Sequence, residues 1–217
     1  MSDHPSTRAS GGAGATTPHA PIPINRRHDR REEILDAATR LFAERTFAAT
    51  PVPLVASEAG VGTGTLYRYF PSKEALGNAV YQRAKGRFLA QVTTIGSEND
   101  SPREIFRAWW QALFDFASTH PDDFAFLEHQ QHAGYLDPRS QELSAYVDEA
   151  VHAVLRRAQE TGDVRPLEPA VLTALVFGAF IGIDRQARGG QLRLDDHTRQ
   201  STEDAVWDLL SGKGTAT

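Results

Sequence analysis

Between Gly60 and Leu76 the chain reads GVGTGTLYRYFPSKEAL, a stretch whose hydroxyls and cations are spaced to grip a polyanion. Thr63, Thr65, Tyr67 and Tyr69 offer hydroxyl groups, and Arg68 and Lys73 offer charged donors, the side-chain types that bind phosphate oxygens. The spacing predicts a short helix over Thr63–Tyr69, because Gly60, Val61 and Gly62 make a tight turn before it and Pro71 forbids its continuation. Ser72 then caps the next helix. Leu66 and Phe70, at i and i+4, take one side of the short helix and leave Thr63, Gly64, Tyr67 and Arg68 on the other. The small residues Thr63 and Gly64 at its start let the backbone approach base edges, so the outer face suits a DNA groove.

Two upstream helices would position that face. Residues 30–47 place Ile34, Ala38, Leu41 and Phe42 on one helical stripe, and Val52, Val55, Ala56 and Ala59 do the same on a short second helix. Pro51 and Pro53 fall in the first turn of that second helix, where no intrahelical N–H bond is lost. Three helices of this length make one small core. The block from Arg30 to Leu76, with its LFAE segment, EAGVG turn, TLYRYF helix and FPSKEAL connector in order, resembles the DNA-binding domain of the tetracycline-repressor (TetR) family. The resemblance implies a three-helix helix-turn-helix domain with Thr63 and Gly64 closest to bases and Thr65, Tyr67, Tyr69 and Lys73 on the DNA backbone. Arg30, Thr50 and Arg68 complete the expected DNA-binding set. One position departs from the pattern: where family members often carry a polar or charged residue able to reach a base from the second helix, this chain has Pro53.

Charge is divided along the chain in a way that fits this reading. From Arg26 to Arg87 there are eleven Lys or Arg against seven Asp or Glu, and from Phe88 onward eleven against twenty, so the overall −5 resides in the second part. Arg26, Arg27, Arg30 and Arg31 cluster beside the predicted helices, as phosphate contacts would require. Residues 1–25, rich in Ser, Thr, Gly, Ala and Pro, read as a disordered tail without the apolar segment of a signal sequence. Cysteine is absent, which excludes a disulfide framework, a thiolate metal site and a cysteine nucleophile, and agrees with a cytoplasmic location. No nucleophile elbow or phosphate-binding glycine loop occurs, and Gly189–Gly190 reads as a helix stop, so neither catalysis nor a cofactor is expected. His129 and His132 sit at i and i+3 near Glu128, Asp122 and Asp123, but nothing elsewhere completes a ligand set, and no metal site is expected.

The remainder reads as helices only, and the fold class is all-α. Ser101, Pro102 and Glu104 look like an N-cap, an N1 proline and a capping-box glutamate for a helix through His120. Further helices are expected over 122–132, 139–161, 168–188 and 195–210, with a preceding one over 73–95 that links the two parts. The expected organisation is a tail (1–25), a helix-turn-helix domain (26–76) and a helical ligand-binding and dimerisation domain (77–217). The apolar run Ala170–Ile183 is too short to span a bilayer and too apolar to be buried on one side only, which points to a partner subunit. By resemblance the last two helices form a homodimer able to read a palindromic operator in double-stranded DNA. The resemblance also implies a small-molecule effector in a cavity of the second domain, where aromatic and polar residues interleave. Trp109, Trp110, Phe114, Phe126, His129, Gln130, Tyr135 and Phe177 are the residues expected to line it. The expected function is therefore a ligand-responsive transcriptional repressor; the competing class is an all-helical enzyme or scaffold that keeps the fold without regulating DNA.

Overall fold

The structure, a computed structural model, describes residues 26–96, 100–129 and 134–212, with the side chains of residues 26–29 and of His129 outside the described set. The expected tail, the side chains of Arg26 and Arg27, and Gln130 and His132 accordingly lie outside the described residues. Those described form nine helices and no strand: α1 (Arg26–Arg45), α2 (Val52–Glu58), α3 (Thr63–Tyr69), α4 (Lys73–Val92), α5 (Pro102–Thr119), α6 (Pro121–His129), α7 (Pro138–Glu160), α8 (Pro169–Arg188) and α9 (Asp196–Ser211).

The helix boundaries follow from local chemistry. Ser72 accepts a hydrogen bond from the Ala75 N–H at 3.0 Å and starts α4. Ser101 and Glu104 form the full capping box that starts α5. Gly60, at φ +63°, provides the left-handed turn between α2 and α3 that a residue with a Cβ rarely adopts. Thr46 ends α1 in the same left-handed region, at φ 72°, despite being β-branched. Thr46→Gly is therefore expected to stabilise the protein by about 1 kcal/mol, read from the midpoint of urea unfolding.

Two apolar cores are built on these helices. The first, the head, gathers Ile34, Leu35, Ala38, Leu41 and Phe42 of α1, Val55 of α2, Leu66 of α3 and Leu76, Val80, Tyr81 and Ala84 of α4. It also takes in Phe126 of α6, stacked against Phe42 with ring centroids 6.0 Å apart. The second, the regulatory core, contains Trp110, Phe114 and Phe116 of α5, Phe124 of α6, Leu172 and Phe180 of α8 and Val206 and Leu210 of α9. Its α5 and α9 are clamped by ion pairs from Arg103 at 2.6 Å and Arg107 at 3.3 Å to the nearly buried Glu203.

α4 runs through both cores, and three polar attachments fix it. Arg83 reaches α1, with contacts of 3.2 Å to Glu32, 2.7 Å to Asp36 and 2.8 Å to the Thr39 hydroxyl. Arg87 reaches α6 and pairs with the buried Asp123 at 2.7 Å. Asn78 holds the segment before α7: its amide donates to the Tyr135 carbonyl at 2.9 Å, and its side-chain oxygen accepts from the Asp137 N–H at 2.8 Å. Asp137 caps α7 through Ser140, whose backbone N–H and then hydroxyl hold the Asp137 carboxyl below the usual carboxylate range. A depressed folded-state value means that this cap contributes fully above the unfolded carboxylate value near pH 4 and is lost as pH falls through the folded one. Asp137→Asn is expected to flatten that part of the acid unfolding profile, measured as melting temperature between about pH 4 and pH 2.

α8 is buried on one side only. Leu172 and Phe180 are enclosed, but Val171 and Leu175 are 46% and 41% exposed, and Ala174, Gly178 and Gly182 on the same side are also exposed. At 20 residues the whole helix, unlike the shorter run 170–183 inside it, is long and apolar enough to cross a membrane by length and composition. One side of it is seated, with Leu172 and Phe180 among α5, α6 and α9 aromatics and aliphatics.

Candidate nucleic-acid interface and regulatory core

α3 presents its outer face because its inner one is anchored. Leu66 is wholly buried, and Phe70, which follows the helix, is 3% exposed beneath Arg31, whose guanidinium lies 5.3 Å from the Phe70 ring centre. Gly64, Tyr67 and Arg68 are exposed, and Thr63, Thr65 and Tyr69 are half-buried at the edges of the face. No atom stands within 4 Å of where a Gly64 Cβ would be, so this position leaves open space at the start of the helix. Lys73 lies beside α3 with its ammonium 3.1 Å from the Ala48 carbonyl and 4.7 Å from the Phe47 ring centre. That seat holds the charge at the same edge while the side chain stays partly open to solvent.

Besides Lys73, two further residues of the expected DNA-binding set are engaged within the head. Arg30 pairs with Glu33 at 3.0 Å and remains half-exposed. Thr50 is fully buried, and its hydroxyl is directed at the Thr46 and Leu41 carbonyls, 2.8 and 3.2 Å away, where it closes the end of α1. Sequence patterning gives no sign of this, since a threonine before a helix serves equally as a surface hydroxyl or an inward cap.

The expected ligand-binding residues divide between the cores. Trp110 and Phe114 are buried at the centre of the regulatory core, their rings 5.6 Å apart, and Phe177 packs against the same cluster. Trp109 is half-buried on α5. Phe126 lies instead in the head core, and Tyr135 stacks on Phe47 of the head with centroids 3.9 Å apart. Burial pushes the Tyr135 hydroxyl pKa up. Gly77 makes room for this stack, since a Cβ there would meet the Phe47 ring at 2.6 Å and the Tyr135 ring at 2.9 Å. The His129 side chain and Gln130 are outside the described residues.

Two concavities flank the regulatory core. One of about 200 Å³ lies between the head and the α5–α6 corner, lined by Asp36, Arg83, Arg87, His120 and Asp123 among others. The other, of about 130 Å³, opens between α6 and α8 and is lined by Phe124, Glu128, Ile181, Asp184, Arg185 and Arg188. Sequence patterning does not single out Asn78, Arg83 or Arg87, and it offers Asp123 only as a metal ligand, yet these polar residues tie α4 to α1, α6 and the segment before α7. Helical periodicity gives no signal for Asn78, which lies two positions from both Leu76 and Val80 and so faces away from the stripe those two share.

Comparison with known proteins agrees with this architecture. Residues 34–80 match the model of bacterial regulatory proteins of the tetR family, and residues 81–211 match that of the tetracyclin repressor-like C-terminal domain. The chain is 29% identical over 147 residues to the HTH-type transcriptional repressor KstR2 of Mycobacterium tuberculosis, covering 64% of this chain and 71% of that one. It is 30% identical over 115 residues to the uncharacterized HTH-type transcriptional regulator YuxN of Bacillus subtilis, covering 53% of this chain and 38% of that protein's length. A crystal structure of a TetR family transcription regulator from Marinobacter aquaeolei superposes with a TM-score of 0.77 at 22% identity, covering 86% of this chain and 97% of that one. With a head and a regulatory part that both match, the chain belongs to the tetracycline-repressor family of bacterial regulatory proteins.

Proposed function

We propose that this chain is a DNA-binding transcriptional regulator, a repressor that holds a palindromic operator as a homodimer and releases it when a small molecule enters the regulatory domain. The observation that carries the reading is the outer face of α3, with Gly64, Tyr67 and Arg68 exposed over a helix anchored by Leu66. Thr63 and Gly64 read base edges, Thr65, Tyr67, Tyr69 and Lys73 hold phosphates, and Arg30 and Arg68 add cationic contacts. Thr50 serves the interface indirectly, by fixing the end of α1. The exposed apolar side of α8, together with Leu209 of α9 at 40% exposure, supports dimerisation through these two helices. The chain acts in the cytoplasm, where the operator is, without a catalytic group or cofactor.

Release is a population shift: the effector must bind a conformation whose two α3 helices no longer match the half-site spacing more tightly than the operator-competent one. α4 is the lever, since Lys73 starts it at the DNA edge and Arg87 ties its far half to α6. A mobility-shift assay on DNA upstream of the protein's own gene tests the proposal, and absence of any retarded complex at low salt would refute it. Lys73→Ala is expected to weaken binding to all DNA sequences alike and to lower the salt slope by about one unit. Tyr67→Phe should weaken binding with similarly little regard to sequence. An unchanged slope for the lysine variant in a salt titration would remove Lys73 from the interface.

A further inference from the structure

Trp110 is fully buried, yet its indole N–H finds no acceptor, and that of Trp109 on the next position finds none either. Folded proteins pair the great majority of their buried donors, because an unmet one forfeits its hydrogen bonds to water without replacement. The surroundings of Trp110 offer no remedy: Phe106, Phe114 and Phe180 pack around it at ring distances of 5.9, 5.6 and 5.9 Å. Phe180 in turn meets Phe124 at 5.6 Å. Phe124 also lines the 130 Å³ concavity between α6 and α8, where Arg188 lies 5.5 Å over its ring. Two rings therefore separate the unmet donor from an opening at the surface.

We propose that Trp110 Nε1 is the polar anchor for the effector, and that the effector is an apolar, uncharged molecule bearing a hydrogen-bond acceptor such as a carbonyl oxygen. This rests on the reading that the regulatory domain takes a small molecule. The ligand enters between α6 and α8, turns the Phe124 and Phe180 rings aside and places its oxygen on the indole N–H. A carboxylate at the indole would find no free cation: Arg103 is held by Glu203 and Asp204, Arg199 by Asp115 at 3.5 Å and, at the mouth, Arg188 by Asp184 at 2.7 Å, while Arg185 faces solvent 4.0 Å from Glu128. Bringing an unpaired anion among these rings would forfeit its hydration for nothing.

The test uses the full chain and two probes of one skeleton, acetophenone and α-methylstyrene, in which a CH2 group replaces the carbonyl oxygen. Trp110→Phe is expected to weaken acetophenone binding roughly tenfold and to change α-methylstyrene binding by less than about twofold, measured by calorimetry without DNA. With three tryptophans in the chain, the indole N–H resonances are few enough to assign. Acetophenone should move that of Trp110 downfield in the wild type, a readout that stands even if the variant folds poorly. Equal weakening of both probes, a Trp110 resonance that stays in place, or no binding of acetophenone would each overturn the proposal. Gel shifts on the upstream DNA are run separately: normal retardation with no acetophenone effect condemns this site alone. Failed retardation with the resonance shift intact leaves the site standing and counts against the DNA-binding reading.

Discussion

Leu175→Glu is expected to turn the protein into a monomer and to lower operator affinity by at least about a hundredfold, equivalent to roughly 2.7 kcal/mol. Within one chain Leu175 is 41% exposed on the open side of α8, so a glutamate there stays hydrated and the fold has no reason to fail. In a dimer that uses this side, each subunit would bury an unpaired carboxylate, a penalty of several kcal/mol. Half-site affinities then no longer combine, which is where the loss of operator binding comes from. Val176 makes a poorer probe, because it packs against the regulatory core and its replacement confounds folding with assembly. Light scattering and gel shifts decide the matter. A Leu175→Glu protein that remains dimeric and binds the operator normally would place the subunit contact elsewhere.

Asn78→Leu should lower stability by about 2–4 kcal/mol, or roughly 5–15 °C in melting temperature for a chain of this size. Leucine fits the volume of this 5%-exposed site but leaves the Tyr135 carbonyl and the Asp137 N–H without their partner. Both belong to the segment between α6 and α7, so its hold on α4 loosens as the bonds disappear. Operator affinity without ligand is expected to stay within a few-fold of wild type, because the α3 face is untouched, while the concentration of effector needed for release changes. Thermal melts and operator titrations with and without effector check the two parts. A variant that melts with the wild type would show that the amide bonds contribute little to the joint.

Much of the architecture was legible in sequence where a single side chain decides a local event. Ser72, the Ser101–Glu104 pair and Pro71 each act on the few backbone groups next to them, and the helices begin and stop where they direct. The inward turn of Leu66 and Phe70 was likewise readable, since i and i+4 fix a shared side. Partnership across the fold was not. Phe126 and Phe124 are two residues apart on α6, and periodicity alone cannot tell that the first packs on Phe42 and the second on Phe180. Tyr135 carries no pattern that points it to Phe47, and Thr50 none that turns it inward. The ring contacts depend on how α6 and the segment after it lie across α1, a relation set by the whole assembly of helices rather than by any local run, and the Thr50 bonds on the left-handed end of α1.

The two matched family regions meet between residues 80 and 81, inside α4, where Val80, Tyr81 and Ala84 all belong to the head core. Exchanging regulatory halves among relatives is an obvious route to chimeric sensors, and this packing decides where such a splice succeeds. A graft at residue 80 would supply the head with a foreign α6, and Phe42 would face whatever that helix carries in place of Phe126. Phe47 and Gly77 would likewise meet a foreign loop instead of Tyr135. A portable unit of this protein is therefore discontinuous: the head through Ala84 together with Phe126 and the residues 134–137 that latch onto Asn78.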